Sequence, residues 1–286
     1  GDPNVKKINA HITKKVADKL EEIFKADRPA FEEKWESLGL FVKYGMMTDD
    51  KFLDKAGKFI VMEDTTGKFH TLEEYKALTE GTQKNKDGKQ VILYTTNPVG
   101  QDAYIQAATK KGYTVVKMET LVDSAFINNM EMKWENVTFV RVDGDHIDNL
   151  IKKDEEQISK LNEDEKKSLT TILTGIIPQD KFTVQLEAMD SKANPFIITQ
   201  PEFMRRMKEM QQSGGGGMFG MGNMPDMYNL VVNTNNELIG EILSTKTAKK
   251  KERLVNQALD LARLSQNLLK GEELTTFIKR SFDMIK

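Results

Sequence analysis

QVILYTTNPVG, residues 90–100, pairs a run of β-forming apolar residues with an abrupt stop. Val91, Ile92, Leu93 and Tyr94 are apolar without alternation, which is the pattern of a strand buried on both faces. Asn97-Pro98-Val99-Gly100 breaks it. The chain then repeats the unit. Gln101–Lys111 reads as a helix that Gly112 ends. Tyr113–Met118 reads as a second strand, Leu121–Met130 as a second helix and Val137–Val142 as a third strand. Strands joined through helices by short links imply parallel crossovers, right-handed, with helices covering the sheet. Upstream, Thr71-Leu72-Glu73-Glu74 fits a capping box. The expectation is a small three-layer α/β domain with a parallel sheet over residues 57–147.

Residues 1–56 read as a helical segment. Val5, Ile8, Ile12, Val16 and Leu20 recur at three- and four-residue steps, and Ile23 and Phe24 continue that face. Pro29 fits the opening of a second helix. Residues 148–167, rich in both charges, read as a linker or, equally, as a solvated helix face. Residues 168–286 read as a C-terminal α+β domain ending in a helical dimerisation bundle. In it, Lys181–Met189 alternates Phe182, Val184, Leu186 and Ala188 on one face, and Phe196–Thr199 forms a second strand. Thr199–Gln212 reads as an amphipathic helix, and residues 213–223, SGGGGMFGMGN, as a mobile loop. All that follows reads as helical: Asn235–Leu243, Thr247–Lys270 and Glu272–Ile285.

Composition narrows the partners. Among 286 residues, 42 Lys and Arg balance 44 Asp and Glu, for a net charge of −2. That balance gives no footprint for a nucleic acid. Cysteine is absent, which excludes disulfides and thiolate metal sites. No apolar run is long enough to cross a bilayer, and the first residues do not resemble a signal peptide.

Reactive chemistry is hard to find. His11, His70 and His146 lie in separate segments without metal-ligand spacing. Asp143-Gly144-Asp145-His146 lacks the remaining positions of a calcium loop and reads as a polar turn. The expectation is no catalytic residue, no metal and no cofactor in this chain. The alternative is an α/β protein that binds or transforms a small ligand at the strand-end crevice near Asn97–Gly100, where helix starts favour anions.

Binding equipment is easier to find. Phe203, Met207 and Met210 fall at i, i+4 and i+7, with Met204 beside them, and methionine suits surfaces that accept varied apolar partners. Phe126 and Asn128 mark a second candidate on the helix Asp123–Met130, for which packing of Phe126, Ile127 and Met130 on the sheet is the stronger reading and the tip around Ser124, Ala125 and Asn128 is the outward part. At the C-terminus, Leu254, Ala258, Leu261 and Leu268 form one stripe, and Phe277, Ile278 and Phe282 line the last helix. Two helices cannot enclose both stripes alone. The same pair from a second copy would complete a four-helix bundle; the alternative is packing of these faces on the preceding domain of the same chain.

Several motifs, in order, resemble the heat-shock-protein-90 chaperone family of the bacterial HtpG type. Phe31-Glu32-Glu33-Lys34-Trp35 through Lys43-Tyr44-Gly45 is similar to its F-W-x-x-F-G-x-x-L-K-x-G helix. His70-Thr71-Leu72-Glu73-Glu74-Tyr75 is similar to V-S-L-E-D-Y. Gln83 with Ile92–Thr96 follows G-Q-x-x-I-Y-Y-I-T, and Lys111–Val115 follows K-G-I-E-V. Asp123 takes the place of the first acid in I-D-E, while Ser124 stands where the second acid usually is. Asp283–Lys286 lacks the acidic pentapeptide of cytosolic eukaryotic members. The resemblance implies a cytoplasmic homodimer that contacts unfolded or partly folded client proteins, with Phe203, Met204, Met207 and Met210 in the place of the family's exposed client helix; the departures at Ser124 and Ala125 keep Phe126 and Asn128 a reading of the residues alone. It also implies that ATP and magnesium bind a domain outside this chain, so that the chain itself is no ATPase.

Overall fold

The computed structural model describes residues 3–151, 157–206 and 226–285, without the side chains of Val5 and Lys6. Helices and small sheets are mixed throughout. The chain divides into two compact units, one of Gly1–Pro98 with Ile105–Arg141 and one of Val99–Tyr104 with Val142–Lys286.

The first unit opens with four helices: α1 (Pro3–Ala26), α2 (Arg28–Glu33), α3 (Trp35–Thr48) and α4 (Asp50–Ala56). Asp27 caps α2 by accepting from the Ala30 amide, and Pro29 occupies the first turn, where its missing N–H is not needed. The apolar stripe of α1 divides in two. Leu20, Ile23 and Phe24 pack on the core, whereas Ile8, Ile12 and Val16 are exposed. A short hairpin follows, β1 (Met62–Glu63) with β2 (Phe69–His70), and then α5 (Leu72–Thr79), whose Thr71–Glu74 capping box is present in both directions.

The sheet of this unit contains β3 (Gln90–Thr95), β4 (Val115–Lys117) and β5 (Val137–Arg141), in the order β4-β3-β5 and all parallel. Their crossovers are α6 (Asp102–Lys110) and α7 (Asp123–Lys133). Every residue of β3 is buried, as a central strand with both faces covered must be. Phe31, Trp35 and Met46 from the helices share one core with Tyr75, Tyr94 and Phe139, so residues before 57 are part of the same packing as the sheet.

The second unit holds α8 (Ile147–Leu150), α9 (Glu163–Ile176), β6 (Phe182–Glu187), β7 (Phe196–Thr199), β8 (Tyr228–Asn233), α10 (Glu237–Ser244), α11 (Ala248–Ser265) and α12 (Gly271–Ile285). Three features correct the sequence reading. First, α9 begins inside the stretch read as linker, because Asn162 and Glu165 form a capping box. Second, β8 replaces expected helix or loop. It is the central strand of the order β6-β8-β7, parallel to β6 and antiparallel to β7. Third, the long helix expected through Lys270 ends at Ser265. Asn267 adopts φ 56°, the Leu268 amide returns to the Arg263 carbonyl, and that of Asn267 returns to Leu264, a left-handed stop.

Leu169 and Leu173 of α9, Leu230 and Val232 of β8, Ile239 and Ile242 of α10, and Val255 and Leu259 of α11 close one core. Asn233 is fully buried at the end of β8. Its side chain accepts from the amides of Met189 and Asn235 and donates to the carbonyls of Asp190 and Ala193, pinning the loop before β7.

Candidate interaction surfaces

The α11–α12 hairpin is locked on one side by polar contacts. Arg280 donates to Asp260 at 2.6 Å and to the Gln257 side-chain oxygen at 2.7 Å, and its guanidinium lies over the Phe277 ring. Arg263 pairs with Asp260 at 3.1 Å and also with Glu273. With these helices held together, the apolar residues of the hairpin sort into three sets. Val255, Ala258, Leu259, Ala262 and Phe277 are buried within the chain. Leu254 and Leu268 pack partly on the same core. Leu261, Ile278 and Phe282 are exposed by 52%, 45% and 64%, and Leu264, Met284 and Ile285 are exposed with them.

Of the expected dimerisation residues, Ala258 and Phe277 are therefore corrected to core residues of their own subunit. The physical reason is the breadth of the apolar faces: one side of α11 must cover the sheet, and Phe277 closes the hairpin. Of the expected dimerisation residues, Leu261, Ile278 and Phe282 stay exposed on the hairpin.

Residues 202–206 are helical. Phe203 is 71% exposed and Met204 is half-buried. Glu202 and a buried Arg205 anchor this turn through a contact of 2.5 Å, and Arg206 joins at 2.8 Å. Burial opposes ionisation of Glu202, yet the two guanidiniums hold its carboxyl below the usual range. Met207 and Met210 lie outside the described residues.

On α7, Phe126 is fully buried, with Ile127 and Met130, against the sheet. It meets Trp134 edge-on at 5.9 Å. Phe126 is thus corrected from a contact residue to a core residue, since a helix covering a sheet turns its large apolar side chains inward. Asn128 is half-buried and Ala125 exposed on the outer side. Sequence reading also missed the role of Asp123. It is buried, binds Lys43 of α3 at 2.6 Å and accepts from the Thr120 amide, so it fastens the start of α7. No local pattern signals a pairing between residues so far apart.

Near the strand end, the Asn97 amide donates to the Thr95 hydroxyl at 3.3 Å. Among the described residues no group of three His, Asp or Glu side chains is placed to hold a metal, and no helix is long and apolar enough to cross a membrane.

Comparison with known proteins places the chain in a lineage. The family model described as Hsp90 protein matches residues 2–286. The chain is 48% identical over 246 residues to the chaperone protein HtpG of Porphyromonas gingivalis, covering 85% of this chain and 36% of that relative. It is 37% identical over 351 aligned positions to the chaperone protein HtpG of Bacteroides thetaiotaomicron, covering 99% of this chain and 51% of that relative. The chain spans about half the length, or less, of these curated relatives. With a family model matched along almost its whole length, the chain belongs to the Hsp90 chaperone family, among bacterial relatives named HtpG.

Proposed function

We propose that this chain supplies the homodimerisation and client-contact surfaces of a cytoplasmic, ATP-dependent chaperone. The observation that carries the reading is the exposure of Leu261, Leu264, Ile278, Phe282 and Ile285 on two helices already braced against each other. An exposed apolar stripe on a rigid hairpin is the kind of surface a second copy buries by two-fold symmetry. Phe203 and Met204 offer a smaller apolar patch to unfolded chains, whose varied side chains a flexible thioether accommodates. ATP and magnesium belong, in this reading, to the part of the relatives' length that the chain does not span.

The test uses point substitutions, because removing α11 would also strip Val255 and Leu259 from the core. Ile278→Glu with Phe282→Glu should convert a dimer to a monomer in light scattering while the circular dichroism spectrum is retained. An unchanged particle mass would refute the dimer assignment. Phe203→Ser should weaken capture of a permanently unfolded model protein without lowering the melting temperature. Undiminished capture would refute the client surface.

A further inference from the structure

A sheet edge offers a row of backbone groups to any extended chain, and folded proteins normally block it. Three of the four edges around the three-stranded sheets have an outward backbone group of the strand interior bound within the chain. On β4, whose Val116 pairs into the sheet, the Val115 carbonyl points outward and accepts from the Thr65 amide at 2.9 Å. On β5, the outward Phe139 amide donates to the Glu131 carboxylate at 2.7 Å, with Thr138 hydroxyl at 3.2 Å from the same oxygen. On β7, the Ile198 carbonyl accepts from the Tyr104 hydroxyl at 2.5 Å.

The fourth edge, on β6, leaves two successive outward residues, Val184 and Leu186, without a backbone partner among the described residues. The ladder to β8 is bracketed by the Tyr228 amide on the Lys181 carbonyl and the Thr234 amide on the Glu187 carbonyl. The odd-numbered residues of β6 therefore face β8. The amides and carbonyls of Val184 and Leu186, with the Phe182 carbonyl, face away. The Phe182 amide is taken by the Pro178 carbonyl. Between the charged Lys181 and Glu187 that flank it, Phe182–Leu186 holds no Pro, charged side chain or bulge. Thr183 is exposed and the next three residues are half-buried.

We infer that the outer edge of β6 is a strand acceptor for an extended polypeptide segment of about five residues that alternates apolar and polar side chains. The hydrogen-bonding spacing selects an extended backbone. Val184 and Leu186, packed on the core side of the sheet, select apolar neighbours on the same face of the added strand. Main-chain bonding with few side-chain demands accepts many sequences. This acceptor rests on the client reading above, and names where an unfolded segment in β conformation docks.

The experiment uses the intact chain and a short synthetic peptide that alternates valine and threonine between terminal lysines. Hydrogen exchange should slow at the Val184 and Leu186 amides when the peptide is added. Peptides N-methylated on one alternate set of residues should bind at least about tenfold more weakly, while methylation of the other set is tolerated. Loss on the valines indicates an antiparallel addition, and loss on the threonines a parallel one. Val184→Pro, which removes an outward amide but no bond to β8, should reproduce the loss in a protein that still melts cooperatively. Tolerance of both methylated sets overturns the acceptor. So does protection of these amides in the free chain that rises with protein concentration, since the occupant is then a second copy. Peptide protection confined to residues 203–206 or to α11 and α12 overturns the acceptor and leaves the client reading standing. Absence of any binding by peptide or unfolded protein defeats both.

Discussion

Two side-chain pairs show how single residues tie distant segments together. Lys43 and Asp123 meet at 2.6 Å with side chains 9% and 2% exposed, and the ammonium also lies over the Phe126 ring. Removing one partner strands a buried charge. Lys43→Ala should therefore lower stability by about 3–5 kcal/mol in denaturant unfolding, whereas the paired change Lys43→Met with Asp123→Leu should cost much less. Equal losses from both variants would contradict the pairing argument. Glu74 meets Arg28 at 2.8 Å and also accepts from the Thr71 amide. The Arg28 guanidinium, against some burial, pulls the Glu74 carboxyl from 4.5 down to about 2. The folded chain thus holds that proton less tightly than the unfolded chain does. Its stabilisation is present above pH about 4.5 and is lost as pH falls toward 2. Arg28→Ala should flatten the pH dependence of the melting temperature across that window, and a parallel, merely shifted curve would argue against it.

At the scale of elements, β8 organises the second unit. It carries hydrogen bonds on both edges and places Leu230 and Val232 in the core and Asn233 at the loop junction. Asn233→Ala would leave the buried amides of Met189 and Asn235 without their side-chain acceptor. The expected loss is about 1–3 kcal/mol or more, with faster hydrogen exchange at those two amides. Unchanged exchange there would show that the loop before β7 is held by other contacts. The turn after Ser265 has a comparable organising effect. By ending α11 early, it folds α12 back so that Arg280 reaches Asp260.

At the scale of the whole molecule, the proposed dimer makes stability depend on concentration. If two copies bury Leu261, Ile278 and Phe282 against each other, the melting temperature of the chain should rise with protein concentration. The Ile278→Glu, Phe282→Glu variant should lose that dependence. A concentration-independent melting temperature in the unsubstituted chain would contradict the assembly. The balanced charge, 42 basic against 44 acidic residues, leaves little long-range repulsion to oppose association of like chains.

Local pattern alone determined the parallel strands of the first unit, the Thr71–Glu74 cap and the helices between the strands. Each is encoded within a few consecutive residues, by apolar runs, by capping chemistry and by turn breakers. The motif order of the Hsp90 family was legible for the same reason. Tertiary structure alone decided which apolar residue became core and which became surface. Phe126 and Phe277 look as available as Phe282 when only spacing is read, yet two are enclosed and one is exposed. The central strand β8 escaped a local reading because Leu230, Val231 and Val232 form a run too short to separate from a helix or a loop. Its identity comes from β6 and β7, whose backbone groups it pairs. Burial and strand pairing are properties of what a segment meets across the fold, and contacts such as Lys43 with Asp123 join residues that no window along the chain brings together.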